Sequence, residues 1–294
     1  MNTKTEPGYS LKGCIDLHTH STASDGLDTP SALVKKAADL GLSVIALTDH
    51  DTVYGVKEAL AEAAELRKSE IDFHVIPGCE FSVSFYNRDI HMLGLYIDTT
   101  YKPLLTLLET AAESRDQRNR TMLSRFQKDG FDVRMEDLLS FSTETKITRA
   151  HFARVLVEKG YAKDFPDAFT RFLGDDSYYY VKREFLDPET VIHTIHDAGG
   201  IACLAHPLHY KLSSDRLIRM IETFADFGLD AMEARYSSYD REDEMYLRSL
   251  CRRYSLKVSG GSDYHGAVKP GLSLGSGYGN GWCIQKEDVT VLKK

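Results

Sequence analysis

The stretch Ile15-Asp16-Leu17-His18-Thr19-His20 joins a short apolar run to a pair of histidines, and similar runs recur along the chain. Further apolar runs begin at Val44, Phe73 and Ile201, and amphipathic stretches separate several of them. Short strands that alternate with amphipathic helices are typical of an α/β fold with parallel strands and right-handed crossovers. We therefore predict an α/β protein whose first strand ends at the two histidines.

Two of the helices carry clear start and stop signals. Thr29 precedes Pro30 as an N-cap with proline at the first helical position, and Gly41 follows the last turn. Asp187-Pro188 repeats this start and Gly199-Gly200 repeats this stop. The signals predict a helix between each start and its stop.

The region 101–185 interrupts the alternation of strands and helices. Its segments 104–128 and 148–159 have helical patterns, and no strand is evident between them. We predict a helical insertion over 101–185, between two parts of one barrel over 12–100 and 186–290. The alternative is an extra layer of packing helices within the same catalytic unit.

Composition and charge limit the possible partners. The chain has 294 residues, of which 42% are hydrophobic and 27% charged, so it can form a globular core. No stretch approaches the roughly 20 apolar residues of a membrane span, so we expect no membrane partner. The formal net charge is −8, whereas long duplex DNA normally binds a basic face. A small or short ligand is therefore favoured over long duplex DNA.

The cysteines suggest a reducing compartment. They are odd in number, scattered and without CxxC spacing, so we expect neither a disulfide framework nor a thiolate zinc site. The five are Cys14, Cys79, Cys203, Cys251 and Cys283. The first residues, MNTKTEPGYSLKG, contain no apolar run after their charges, so we expect no signal peptide and a cytoplasmic location.

Histidines and acidic residues collect where the apolar runs end. The carboxyl ends of all strands of an α/β barrel meet on one face, so these groups are expected to converge. They are His18, His20, His50, Glu80, His206, Asp263 and His265. Residues i and i+2 of a strand point to the same side, which lets His18 and His20 offer two nitrogens to one metal. Burial of such groups without metals or partners would cost several kcal/mol.

Five short motifs together resemble the PHP (polymerase and histidinol phosphatase) family. They are Leu17-His18-Thr19-His20-Ser21 with Asp25-Gly26, Thr48-Asp49-His50-Asp51, Gly78-Cys79-Glu80, Ala205-His206-Pro207 and Gly261-Ser262-Asp263-Tyr264-His265. Their order matches over 12–265, which is most of the chain. The insertion resembles that of the subgroup with nucleoside bisphosphate phosphatases and short-RNA 5′-exonucleases. The resemblance implies a distorted, TIM-like (β/α)7 barrel with three divalent metal ions.

The resemblance also implies which side chains hold the ions. The first metal would be held by His18, His20, Glu80 and Asp263. Glu80 would bridge to a second metal, which His91 and His206 complete, and Asp25, His50 and His265 would hold a third. His91 lies in a short apolar strand, where a core histidine is the alternative. Mixed nitrogen and oxygen ligands suit manganese, iron or zinc.

No side chain beyond the metal ligands is predicted to be catalytic, because a metal-bound hydroxide would attack the phosphorus. Substrate contacts are expected elsewhere. Arg149 and His151, in the segment Thr148-Arg149-Ala150-His151-Phe152, resemble the substrate-contacting residues of the subgroup. Arg118, Arg235 and His209 are further candidates. Solvated helical arginines and, for Arg235, a structural ion pair are the alternatives, and relatives often have arginine in place of His209.

These observations favour a metal-dependent phosphoesterase. It would hydrolyse a phosphate monoester of a small nucleotide, such as a 3′,5′-bisphosphonucleoside, or trim short RNA from 5′ to 3′. A histidinol-phosphate-type phosphatase is an alternative within the class. An amidohydrolase-like C–N hydrolase would share the histidine pair but normally has two metals, so the third predicted set argues for phosphate. A barrel without enzymatic activity would have lost ligands, and none is missing.

Overall fold

The computed structural model describes residues 13–141, 147–174, 176–182, 184–279 and 282–292. Residues 1–12, on which the signal-peptide expectation rests and which include the predicted start of the barrel, lie outside these ranges. Seven strands form one sheet in chain order. They are β1 (Ile15–Thr19), β2 (Val44–Leu47), β3 (His74–Phe85), β4 (Arg88–Leu95), β5 (Ile201–Leu204), β6 (Ala231–Tyr236) and β7 (Lys257–Gly261).

The α-helices of the described residues lie between these strands. They are α1 (Pro30–Asp39), α2 (Val56–Lys68), α3 (Lys102–Lys128), α4 (Met135–Leu139), α5 (Arg149–Glu158), α6 (Phe165–Ala168), α7 (Pro188–Asp197), α8 (Ser214–Asp226) and α9 (Arg241–Arg253). The capping signals are confirmed, because the Thr29 and Asp187 side chains accept the N–H groups of Ala32 and Thr190. None of these helices combines the length and apolar character that crossing a bilayer requires.

The sheet curls until its two ends meet. Asp263, just after β7, donates its N–H to the carbonyl of His18 at 2.9 Å, and His20 donates to the carbonyl of Tyr264 at 2.9 Å. Apolar side chains such as Leu17 and Ala46 are fully buried in one of the core clusters. The prediction of a distorted seven-stranded α/β barrel is therefore confirmed.

One part of the barrel departs from the expected parallel pairing. Strand β4 runs antiparallel to both β3 and β5. Only Tyr86 and Asn87 separate β3 from β4, and both have positive φ, 50° and 61°. A two-residue turn of this kind reverses the chain, whereas a parallel strand needs a connection of about a dozen residues. The prediction of parallel strands was wrong here, and the hairpin is what brings His91 back toward the site.

Between β4 and α7, the described residues contain helices α3 to α6 and a π-helical turn at Phe169–Leu173. This region has an aromatic core of its own, in which Phe126 stacks on Tyr179 with ring centroids 4.2 Å apart. The division of the chain at residues 101 and 185 into barrel and insertion stays a prediction.

The cysteine expectation was wrong for one pair, because the structure contains a disulfide between Cys14 and Cys283. Ile15 donates its N–H to the carbonyl of Ile284 at 2.8 Å, which aligns the two segments and brings the sulfur atoms together. The partners are 269 positions apart, so no local spacing indicates the pair. Cys79, Cys203 and Cys251 are buried thiols outside this disulfide.

Candidate metal centre

Strand β1 and the residue that follows it present two imidazoles to the same point. His18 and His20 are fully buried, and their Nε2 atoms lie 3.1 Å apart. Two like groups at this distance do not stabilise each other when both are neutral acceptors or both are cations. The pair therefore requires a third group that both nitrogens can face.

That group is Glu80, a fully buried carboxylate of β3. Its Oε2 lies 3.3 Å from His18 Nε2, 3.1 Å from His20 Nε2 and 3.0 Å from His50 Nδ1. Its Oε1 lies 2.8 Å from His91 Nδ1 and 3.1 Å from His206 Nε2. Five imidazoles from four segments of the chain thus surround one carboxylate.

Two further carboxylates complete the cluster. Asp263 Oδ1 lies 3.3 Å from both His20 Nε2 and His265 Nδ1. Asp25 Oδ1 lies 3.3 Å from His265 Nε2, and its Oδ2 lies 3.9 Å from His50 Nε2. The structure therefore brings together all nine side chains that the sequence predicts as ligands.

The charges of this cluster are strongly coupled. Burial lowers the pKa of His20, but the hydrogen bonds and charges of Asp263 and Glu80 outweigh it and raise the pKa from 6.5 to about 9. Burial also lowers the pKa of His91, and the nearby carboxylates Glu80 and Asp89 raise it to about 10. Burial raises the pKa of Glu80, but the surrounding imidazoles hold it well below its usual range. Without metal, protons therefore compensate the carboxylates.

The residues fit divalent metal ions. Buried polar atoms normally have hydrogen-bond partners, yet Glu80 Oε2, His91 Nδ1 and His206 Nδ1 have none with suitable geometry. The cluster contains three groups of side chains that could each hold an ion. Within each group the ligand atoms lie within 4.8 Å of one another, and all of them are nitrogen or oxygen donors. The groups are His18, His20, Glu80 and Asp263; His20, Asp25, His50 and His265; and His50, Glu80 and His91.

Sequence reasoning missed a carboxylate that holds the ligands in place. Glu233 of β6 is fully buried, lies 3.2 Å from His18 Nδ1 and accepts the backbone N–H of His206 at 2.8 Å. Such a contact sets which nitrogen of His18 faces the cluster. An acidic residue inside the apolar run of a strand was the available signal.

Acidic residues next to the ligands in sequence hold the loops that carry those ligands. Asp49 accepts the Ser21 N–H at 2.8 Å and the Ser24 hydroxyl at 2.6 Å. Asp51 accepts the Ser82 N–H at 2.8 Å and forms a buried ion pair with Arg115 of α3. Arg115 thus ties the long helix to the loop that carries His50, a role that the sequence analysis did not identify.

Two of the predicted substrate residues lie beside the cluster. Arg118 and Arg149 line a small cavity of about 150 Å³, which also includes Arg115, His50 and His91. An Arg149 nitrogen lies 3.6 Å from Asp89 Oδ2. A pocket with several guanidinium groups beside a metal centre suits a phosphate group.

The other predicted substrate residues are placed differently. His209 lines a larger cavity of about 520 Å³ next to the cluster, 2.9 Å from the Ser238 hydroxyl. His151 lines neither cavity, because its Nδ1 accepts the Thr148 N–H at 2.9 Å and completes the cap of α5.

Arg235 is not brought to the centre. Its guanidinium lies 3.3 Å from Glu244 and donates to the carbonyl of Cys283 at 2.9 Å. A register irregularity between Glu233 and Arg235 accompanies this placement, and such bulges re-aim side chains. We therefore drop Arg235 from the candidate substrate residues and assign it the structural ion pair.

The chain is similar to proteins of known family and activity. Residues 16–180 match the PHP domain. The chain is also 36% identical over 260 residues to the 5′-3′ exoribonuclease Rnm of Escherichia coli (strain K12), and the match covers 88% of this chain and 87% of that protein. The chain belongs to the PHP domain family. It is also 33% identical over 262 residues to a 3′,5′-nucleoside bisphosphate phosphatase of Chromobacterium violaceum, covering 89% of this chain and 90% of that protein.

Solved structures of this PHP-type fold agree. A protein of Bifidobacterium adolescentis described as a metal-dependent phosphoesterase superimposes with a TM-score of 0.82 at 28% identity, covering 97% of this chain and 95% of that one. An amidohydrolase from Chromobacterium violaceum, solved with sulfate and without metal, gives 0.82 at 30% identity, covering 94% and 97%. The predictions of the family and of a metal-dependent phosphoester hydrolase are confirmed, and the C–N hydrolase and histidinol-phosphate alternatives are not favoured.

Proposed function

We propose that this PHP-family enzyme hydrolyses a phosphate ester of a small nucleotide, either a 3′,5′-bisphosphonucleoside or the 5′ end of a short RNA. One observation carries the proposal: the nine predicted ligands, with Glu80 among them at the centre, meet beside a cavity of about 520 Å³. A cavity of this size accommodates a small ligand rather than a duplex. The names of two relatives supply the substrate classes.

We propose three divalent ions, of manganese, iron or zinc, held by the nine ligands in the sets that the sequence predicts. His50 lies close to Glu80 and His91 as well as to Asp25. We therefore propose that His50 is shared between the second and third metal sites, which is the one difference from the predicted sets. When bound, such ions lower the pKa of water and neutralise charge on a phosphoryl group. The protein's contribution is to fix the ligands, through Glu233 and Asp49, and to shape the adjoining cavities.

The small arginine-lined cavity supports a substrate with two phosphates. Arg115, Arg118 and Arg149 lie next to His50 and His91, so an anion there would touch the edge of the proposed metal site. A bisphosphonucleoside could place its scissile phosphate at the ligands and the other phosphate among the guanidinium groups. Charge-assisted, bidentate hydrogen bonds from arginine would then fix the orientation of the substrate.

A cytoplasmic location stays a proposal. The cysteine argument for it assumed unpaired cysteines, and the disulfide between Cys14 and Cys283 removes part of that support.

Metal analysis of the purified protein, combined with a panel of nucleotide phosphates, short RNAs and amides, tests the proposal. We expect bound divalent metal and phosphate or nucleotide release from the first two classes only. His20→Ala should lose metal and turnover while keeping its circular dichroism spectrum. The matched control His193→Ala removes an exposed histidine of α7 and should behave as wild type. Hydrolysis of amides alone, or full turnover by His20→Ala, would contradict the proposal.

A further inference from the structure

We infer that the larger cavity holds a nucleobase by stacking it on aromatic side chains, namely Phe165 and Phe169 of the insertion and Tyr278 near the C-terminus. This inference rests on the proposed function, since it names the part of the substrate that the cavity accepts.

The cavity has two chemically different ends. One end consists of cluster residues such as Glu80 and Asp263, together with Lys269, which contacts the Asp263 carboxylate. Apart from His209, the remaining lining is apolar or aromatic: Ala150, Phe165, Pro166, Phe169, Val268, Pro270 and Tyr278. A nucleotide has the same division, with an anionic phosphate and a flat base. A phosphate at the ligands would therefore leave the base beside this apolar and aromatic lining, which we call the aromatic wall.

Phe165 and Phe169 are held in a position that suits stacking. They are four residues apart, so they lie on the same side of a helical segment. Both pack against the core of the insertion and stay partly exposed. Phe169 begins the π-helical turn, a rare conformation that occurs frequently at functional sites. It lines the arginine-containing cavity as well as the larger one, so it separates the proposed phosphate and base positions.

Tyr278 lines the cavity from a loop near the C-terminus. Its side chain is 50% exposed, although large aromatic rings are usually covered in a folded protein. The flanking Gly277 and Gly279 have positive φ, 58° and 89°, so the backbone on both sides adopts turns that glycine favours. Gly277 also packs closely on the Trp282 ring, which supports this loop. An exposed ring on a supported loop is suited to cover one face of a base.

The wall contains almost nothing that can distinguish one base from another. Among its apolar lining residues, the Tyr278 hydroxyl is the one side-chain group able to form a hydrogen bond with a base edge. Stacking accepts every base, because each has a π-face. The site should therefore require a base without selecting its identity. This suits an enzyme whose nucleotide substrates carry any of the bases.

Equilibrium binding to the metal-loaded enzyme tests this, with AMP, CMP and ribose 5-phosphate as probes in calorimetry. AMP and CMP should bind within about tenfold of each other, and both should bind about 5- to 150-fold more tightly than ribose 5-phosphate. Phe169→Leu, which keeps an apolar side chain but removes the ring, should weaken AMP binding and leave ribose 5-phosphate unchanged. Phe169→Trp should retain AMP binding. Leu139→Ala, which removes an exposed apolar side chain of α4 outside the cavity, is the matched control.

The inference is overturned if ribose 5-phosphate binds as tightly as AMP, or if Phe169→Leu weakens both probes equally. It is also overturned by a preference of more than tenfold between AMP and CMP. If Phe169→Leu does not fold, Tyr278→Leu is compared in the same way. Failure of the proposed function is a separate result, because it would appear as wild-type enzyme that releases no product from bisphosphonucleosides or RNA, whatever the binding data show.

Discussion

At the residue scale, the chemistry of the centre depends on carboxylates of two kinds. Glu80 and Asp263 face the imidazoles directly, whereas Glu233 lies behind them, 3.2 Å from His18 Nδ1. Neutral imidazole has one donor and one acceptor nitrogen, so a carboxylate on one side leaves the other nitrogen available for metal. Glu233 therefore prepares His18 without being a ligand.

Glu233→Gln should weaken metal binding or turnover by about 10- to 100-fold, because an amide no longer selects the tautomer of His18 as the carboxylate does. Metal titration and kcat/KM would both report the change. Glu222→Gln alters a partly exposed acid of α8 that accepts the Tyr254 hydroxyl, and it should have no effect on the centre. If metal affinity and kcat/KM were both unchanged in Glu233→Gln, Glu233 would have no role in holding the centre.

Arg149→Ala should raise KM for a bisphosphonucleoside by roughly tenfold or more and change kcat much less, because its guanidinium is proposed to bind the phosphate that does not react. Steady-state kinetics at saturating metal would separate the two constants. Arg154→Ala, on the same helix but paired with Glu158, is the control. Equal KM values for Arg149→Ala and wild type would exclude the phosphate contact.

At the element scale, closure of the barrel depends on a buried acid. Asp16 of β1 accepts the Ser262 N–H at 2.8 Å and the Gly275 N–H at 3.1 Å, which joins β1 to the segments after β7. Burial raises the pKa of Asp16 from 3.8 to about 6, although these hydrogen bonds lower it. Since the folded pKa lies above the unfolded one, this group stabilises the fold fully below pH 3.8. That stabilisation is lost as the pH rises through about 6.

Asp16→Asn removes this titration. The free energy of unfolding of the variant, relative to wild type, should therefore improve by about 2 kcal/mol between pH 4.5 and pH 7.5. Urea unfolding at the two pH values would measure the difference, and Asp226→Asn at an exposed position of α8 gives the baseline. A relative stability independent of pH would show that Asp16 does not titrate in this range.

At the scale of the whole molecule, the two ends of the described chain are fastened together. The Cys14–Cys283 disulfide and the Ile15–Ile284 hydrogen bond attach the C-terminal segment beside β1, the strand that carries His18. Arg235 adds a hydrogen bond to the carbonyl of Cys283. A link across most of the chain restricts the unfolded state more than a short loop does.

Cys283→Ser should lower the free energy of unfolding by about 2–5 kcal/mol under oxidising conditions. Reductant should lower the stability of wild type to a similar level and leave the variant unchanged. Cys14→Ser and the double variant should match Cys283→Ser, since all three remove the same bond. Five reactive thiols in denatured, unreduced wild-type protein would contradict the disulfide.

Some features could be read from the sequence because their signals are local. Thr29-Pro30 and Asp187-Pro188 cap helices by contacts within three residues, and the histidine pair at the end of β1 follows from strand periodicity. The hairpin from β3 to β4 was missed because Tyr86-Asn87 carries no glycine, the usual residue of such a turn. The direction of the Arg235 side chain was not predicted, because it depends on an irregularity in the register of β6.

The order and chemistry of the five motifs were sufficient to indicate the family, and the resemblance to that family implied the barrel and the nine candidate ligands. Only the tertiary structure decided what stands behind and beside those ligands. Glu233 reaches His18 across 215 positions, and Cys14 reaches Cys283 across 269. The aromatic wall likewise combines two distant segments. Such contacts depend on how elements pack in three dimensions, and local sequence patterns do not encode those distances.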